Sequence, residues 1–172
     1  METTLRVRLL RPDDTDTLET VFDGLSARSR YLRFHSPMPR LSGTLRRGLL
    51  RVDDHDRLAL VAEAATGTGT WEPVGIARLA RTAAREAELA VEVVDAWQRR
   101  GVGRVLLAAL RVAARARGVD RLVAFVLAEN AAARTLIAQA FPLCTTRRDG
   151  AVVVMTCHLT DDLALTLDDL VA

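Results

Sequence analysis

Gln98-Arg99-Arg100-Gly101-Val102-Gly103 stands between an alternating apolar run and a long Ala/Leu/Arg stretch, where a strand would turn into a helix. Gly101 and Gly103 permit positive φ values and close approach to the main chain. The N–H groups freed in such a turn converge where the helix dipole favours an anion. Arg99, Arg100 and Arg104 add charge-assisted hydrogen bonds. The chemistry is that of a phosphate or diphosphate cradle. Just upstream, Glu86-Ala-Glu-Leu-Ala-Val-Glu-Val-Val-Asp95 alternates so that Glu88 and Glu92 share one face of a strand. Both are candidates for general-base work, and each would raise the other's pKa if both were shielded from water.

Composition limits what else the chain can do. All 24 basic residues are Arg and none is Lys, so a P-loop and Schiff-base chemistry are both excluded. The dinucleotide fingerprint fails as well, because the place of its third small residue is taken by Leu106. The net charge of +2 is spread among interleaved acids, which predicts no nucleic-acid partner. Cys144 and Cys157 are too few and too far apart for a zinc site, so no metal is expected. They read as two free thiols in a reducing compartment. Arginines interrupt the N-terminal apolar residues, and no apolar run is long enough to span a bilayer. A soluble, cytoplasmic protein without membrane contact is expected.

The elements that must hold these residues follow from spacing. Leu5–Leu10 alternates as a strand, and Pro12 breaks it. Asp13 or Asp14 then caps a helix carrying Leu18, Val21, Phe22 and Leu25, which Gly24 weakens near its end. A second helix begins near Ser26 and stops before Pro37, and a third covers Leu41–Arg51. Leu58–Ala64 and Val74–Leu79 read as a hairpin, with Glu86–Val94 as the next strand. A helix over Val105–Arg117 is closed by Gly118, followed by a strand at Leu122–Leu127 and a helix at Ala131–Ala140 behind Asn130. Leu143–Arg147 and Ala151–Leu159 form a last hairpin about Asp149-Gly150. An acidic tail over 159–172, with spaced leucines, reads as a short docking helix, and the whole of 1–172 as one domain.

The turn resembles motif A of the GCN5-related N-acetyltransferase (GNAT) superfamily, Gln/Arg-x-x-Gly-x-Gly/Ala, which cradles the diphosphate of acetyl-CoA. The order strand, turn, long helix, strand, Asn130-led helix, Phe141 is similar to that superfamily through about residues 5 to 158. Leu25-Ser-Ala-Arg-Ser-Arg-Tyr-Leu-Arg-Phe34, Val52-Asp-Asp-His55 and Ala87-Glu-Leu-Ala-Val-Glu-Val-Val-Asp-Ala-Trp-Gln98 resemble the catalytic domain of Pat-type bacterial protein lysine acetyltransferases. The resemblance implies an α/β fold with a mixed, mostly antiparallel central sheet of about six to seven strands, flanked by helices.

It also implies an activity: transfer of acetyl from acetyl-CoA to a primary amine, either a protein lysine (members acetylate acyl-CoA synthetases) or a small amine. A non-catalytic acetyl-CoA-binding module is the alternative of another class. By the same resemblance Glu88 is the catalytic base, and the backbone of Val93 and Val94 holds the pantetheine arm. Arg99, Arg100, Gly101, Val102, Gly103 and Arg104 take the diphosphate, while Asn130 and Arg134 reach the donor from the next helix. On residues alone, Asn130 is equally a plain N-cap, and Arg134 is more often a solvated cation than a cofactor contact. Glu92 stands where such relatives have an apolar residue, and no Tyr occurs near Leu136 to protonate the leaving thiolate. The single tyrosine, Tyr31, reads as a packed core residue, and His55, beside three aspartates, as surface charge. The cyclic-nucleotide-binding and CoA-ligase-like domains of some members have no counterpart here, and a monomer or homodimer is expected.

Overall fold

A computed structural model describes residues 4–67 and 69–159. Seven strands, β1 (Leu5–Leu9), β2 (Arg57–Ala65), β3 (Trp71–Ala83), β4 (Glu86–Val93), β5 (Arg121–Leu127), β6 (Cys144–Asp149) and β7 (Val152–His158), form one sheet. Five helices accompany it: α1 (Thr15–Asp23), α2 (Ala27–Phe34), α3 (Gly43–Leu49), α4 (Val102–Ala116) and α5 (Ala131–Ala140). The strand order is β1-β2-β3-β4-β5-β7-β6, and only the β4–β5 pair is parallel. The elements expected between Leu5 and Leu159 are all present, and α4 starts three residues earlier than the sequence suggests, directly behind Gly101. The leucine-spaced tail beyond Leu159 lies outside the described residues.

Both faces of the sheet are covered, which is why β2 is buried from Leu58 to Ala64 rather than alternating. On one face Val102, Leu106, Leu107 and Leu110 of α4 and Ile137 of α5 pack with Leu79, Leu89 and Leu122. On the other, Leu18 and Val21 of α1 meet Val61 and Ile76, with Leu41 and Leu49 beside them. Each fully buried leucine of α4 contributes roughly 2 kcal/mol. The one buried acid of β2, Glu63, sits where the β2–β3 register shifts and is matched by Arg6 at 2.6 Å and Arg8 at 2.9 Å.

Three local expectations need correction. Asp14 does occupy the N-cap of α1 but caps nothing: its carboxylate takes Arg8 at 2.7 Å and the Arg11 amide at 2.7 Å instead. Gly24 is more than a weak helix residue, since a Cβ there would lie 2.6 Å from a Val94 methyl. The two cysteines are not free thiols. Cys144 and Cys157 face each other across β6 and β7 and are joined as a disulfide, with their Cα atoms 3.9 Å apart. Reduction should lower stability by at most about 3 kcal/mol, because the bond closes a short loop that the hairpin already holds. Thermal unfolding with and without a dithiol reductant measures it; an unchanged midpoint contradicts the bond's contribution.

Candidate active site

The parallel β4–β5 pair is the source of the site. Its register holds only for Glu86↔Arg121, Ala87↔Leu122 and Glu88↔Val123. Beyond that step β4 runs on to Val93 and β5 to Leu127 without pairing, so the sheet opens into a wedge. A cleft of about 1030 Å³ fills it, reaching from the start of α4 to α2.

Strand alternation decides which backbone groups enter the wedge. The Val94 amide donates to the Val74 carbonyl at 2.9 Å, which fixes the pairing phase of the β3–β4 ladder. In that phase Glu88, Ala90 and Glu92 turn their backbone groups to β3, and Leu89, Val91 and Val93 turn theirs to the cleft. Val93 faces the cleft as the sequence suggests, whereas Val94 is committed to β3 and does not line it. The Val93 carbonyl already accepts from Gln98 Nε2 at 3.1 Å, which ties the glycine turn to the end of β4.

The turn itself has the geometry of an anion cradle. Arg99 and Gly101 have φ values of 64° and 86°, and Gly101 is the N-cap of α4 with no side chain over the helix end. Gly103 serves a different purpose from positive φ. A Cβ at Gly103 would meet Leu136 Cδ2 at 2.7 Å, so its lack of side chain lets α5 approach α4. Arg99, Gly101, Gly103 and Arg104 line the cleft. Arg100 instead lies over the Trp97 ring at 5.2 Å, and Val102 is a core residue, 1% exposed.

Asn130 lines the cleft and caps α5, its Oδ1 accepting from the Ala133 amide at 3.1 Å. Its capping role and its place in the cleft are thus compatible, since the cap uses only the oxygen. Arg134 does not line the cleft, and its buried Nε has no hydrogen-bond partner among the described residues. Tyr31 is half-buried rather than core, with Arg28 5.9 Å from its ring, and stands outside the cleft. His55 is exposed and bonded to Asp56, as expected.

The two glutamates separate sharply. Glu88 is exposed to the cleft at the last paired step of the wedge. Glu92 is buried and held by Arg33 Nε of α2 at 2.5 Å and Arg78 Nε of β3 at 3.4 Å. Four residues at about 3.3 Å each put the two Cα positions roughly 13 Å apart, so they do not couple as like charges. Burial pushes the Glu92 carboxyl up, but the charges of Arg33 and Arg78 overcome it and hold the group below the ordinary carboxylate range. A carboxylate so stabilised is a poor base. Burial also draws the Arg78 guanidinium down from its ordinary value, with Glu92 opposing; arginine starts so high that it stays protonated.

Arg33 and Arg78 are the site residues that the sequence does not announce. The available signal is Glu92 itself: a carboxylate on the buried face of a strand demands cationic partners. The same wall is braced further by Asp95. Burial raises its carboxyl, and hydrogen bonds from Ser29 and Ser26 at the start of α2 bring it below its ordinary value. At the opposite edge Arg28 of α2 pairs with Glu129 at 2.7 Å, so α2 bridges from the end of β4 to the far lip of the wedge.

A mixed sheet splayed between its parallel central strands, with a glycine cradle opening the following helix, defines an acyltransferase architecture. Residues 19–141 match the acetyltransferase (GNAT) family, and the chain belongs to it. Among solved structures it is similar to the GNAT domain of S. lividans PAT, at 33% identity over 90% of each chain and a TM-score of 0.80. It is also similar to a cAMP-binding acyltransferase from Mycobacterium smegmatis, at 26% identity and a TM-score of 0.64. That match covers 96% of this chain but 48% of the mycobacterial one. The PaiA N-acetyltransferase from Thermoplasma acidophilum, solved in complex with coenzyme A, shares the fold at a TM-score of 0.69, 16% identity and coverage of 90% and 99%. Among the described residues no helix is long and apolar enough to cross a membrane.

Proposed function

We propose that this chain, as a single domain over residues 1–172, moves the acetyl group of acetyl-CoA to a lysine of an acceptor protein by direct attack in a ternary complex. The observation that carries the reading is the opening of the sheet after Glu88↔Val123, which leaves a carboxylate at the throat of the cleft. The positive end of α4, with Arg99 and Arg104, suits the donor's diphosphate at one end. The cleft-facing amides of Val91 and Val93 suit the pantetheine arm between the strands. Protein lysine is favoured as acceptor by the likeness to the PAT domain; an acyl-CoA synthetase is the acceptor that the sequence resemblance implies.

In the proposed reaction Glu88 takes one proton from the acceptor ammonium. The neutral nitrogen attacks the thioester carbonyl, the C–S bond breaks, and the departing thiolate receives the second proton as the amide forms. A thiolate is a good leaving group near neutral pH, so a dedicated tyrosine acid is unnecessary. The test is turnover of acetyl-CoA with an acyl-CoA synthetase and, separately, a panel of small amines, alongside calorimetry of acetyl-CoA binding. Acetyl-lysine on the synthetase is the expected result. Transfer to small amines alone would make the protein a small-molecule acetyltransferase, and tight binding without transfer would make it a binding module.

A further inference from the structure

The wall that α2 presents to the cleft carries more positive than negative charge. Glu92 is 4% exposed and faces two guanidinium groups, Arg33 and Arg78, so the cluster has one cation in excess. Arg78 is tied down elsewhere: Nη1 donates to the Leu49 carbonyl at 2.8 Å, and Nη2 is buried without a partner. Arg33 is different. Its only hydrogen bond among the described residues runs from Nε to Glu92, and its guanidinium lies 4.9 Å from the Phe34 ring. The side chain lines the cleft and keeps 18% of its exposure, and neither Nη group has an acceptor among the described residues. A guanidinium gripped at Nε and set against an aromatic ring is preorganised to present its two Nη groups to a carboxylate.

We propose that Arg33 is an anion-binding residue of the acceptor site, recognising an acidic side chain next to the lysine that is acetylated. Glu92 orients the fork, and Arg78 supplies the charge that keeps Glu92 from cancelling it. Position 92 lies about 13 Å along β4 from Glu88, beyond the span between the amine and carboxylate of one amino acid. A lysine and a neighbouring acidic residue of one peptide bridge that distance. The inference rests on the protein-lysine reading above, and its test separates the two.

The experiment compares kcat/KM for acetyl transfer to three peptides with a single lysine flanked by Asp, Ala or Arg, and to lysine against lysinamide. Wild type and the variants Arg33→Gln and Arg33→Lys are measured, with acetyl-CoA affinity by calorimetry as a check on the intact fold. Arg33→Gln leaves Glu92 paired with Arg78, so the buried cluster stays neutral; should the variant still fail to fold, Arg33→Lys, which keeps the charge and loses the planar fork, carries the test. The wild type is expected to favour the Asp-flanked peptide over the Ala-flanked one by about tenfold, chiefly through KM. Arg33→Gln should bring that ratio to about one, and Arg33→Lys should retain part of it. Equal rates on all three peptides, or a preference that survives Arg33→Gln, overturns the subsite. Peptides that are not acetylated sink the protein-lysine reading, and an Arg33-dependent preference for lysine over lysinamide overturns the two-residue spacing of the subsite, since one amino acid would then bridge it. Absence of preference in both series overturns it.

Discussion

Replacing Glu88 with Gln is expected to lower kcat for amine acetylation by about 10²- to 10⁴-fold while leaving acetyl-CoA affinity unchanged. The argument is positional. Glu88 is the last residue of β4 still paired to β5, so the rigid sheet fixes its Cα while its side chain reaches the opening wedge. An acceptor amine enters water as the ammonium ion, with a pKa near 10.4 for lysine, and only its neutral form attacks a thioester. The variant should therefore recover activity as the pH rises, by about tenfold per unit until the free amine deprotonates unaided. Wild type should lack that steep dependence above neutrality. Stopped-time assays from pH 6.5 to 10, using one peptide acceptor, measure both limbs. Full activity of Glu88→Gln at neutral pH ends the base assignment, and a loss that higher pH does not restore points to a positioning role instead.

What the sequence reveals of this site, and what it hides, divides along lines of range. The cradle is legible because its requirement is local: Gly101 needs a positive φ and must leave the helix end uncovered, and glycine is the residue that permits both. Gly103 is legible as a conserved-looking spacing within the motif, yet its reason is Leu136, a residue of another helix. Alternation alone sets Glu88 and Glu92 on one face. It says nothing about Arg33 and Arg78, which arrive from a helix 59 residues earlier and from the neighbouring strand. Without them Glu92 looks like a second base; with them it is a counter-ion. The disulfide was hidden less deeply. Cys144 and Cys157 stand at equal distances from the Gly150-Ala151 turn, one residue beyond the Asp149-Gly150 turn that the sequence suggests, so the observed register is what sets them opposite each other. Taking widely spaced cysteines as free thiols neglects hairpin register. Val94 failed for a similar reason, since which amides face the wedge depends on the phase of the β3–β4 ladder.

Glu92→Gln should cost about 3 kcal/mol of folding stability at pH 7, because it leaves Arg33 and Arg78 close together with no countercharge. The pH dependence gives the effect its signature. In the folded protein the Glu92 carboxyl is held below its ordinary value, so folding favours the ionised form. Its contribution is complete above the unfolded value of about 4.3 and is lost as the pH falls through the lower folded value. Wild type and variant should thus begin to converge in stability as the pH falls below about 4.3, with the variant's acid limb the flatter of the two. Asp14, with burial opposed by Arg8, and Asp95, with burial opposed by Ser29 and Ser26, are also held low and leave both proteins some acid sensitivity. Urea unfolding at pH 7, 5 and 3.5 measures the difference; a stability gap that stays constant across that range refutes the assignment. Removing the whole cluster separates stability from recognition. Replacing Glu92, Arg33 and Arg78 together by apolar residues of similar volume should leave stability at pH 7 near that of wild type, since a buried ionic triad returns little of its desolvation cost. A protein that remains folded yet no longer distinguishes acidic from neutral acceptors would show that these charges serve the acceptor and not the fold.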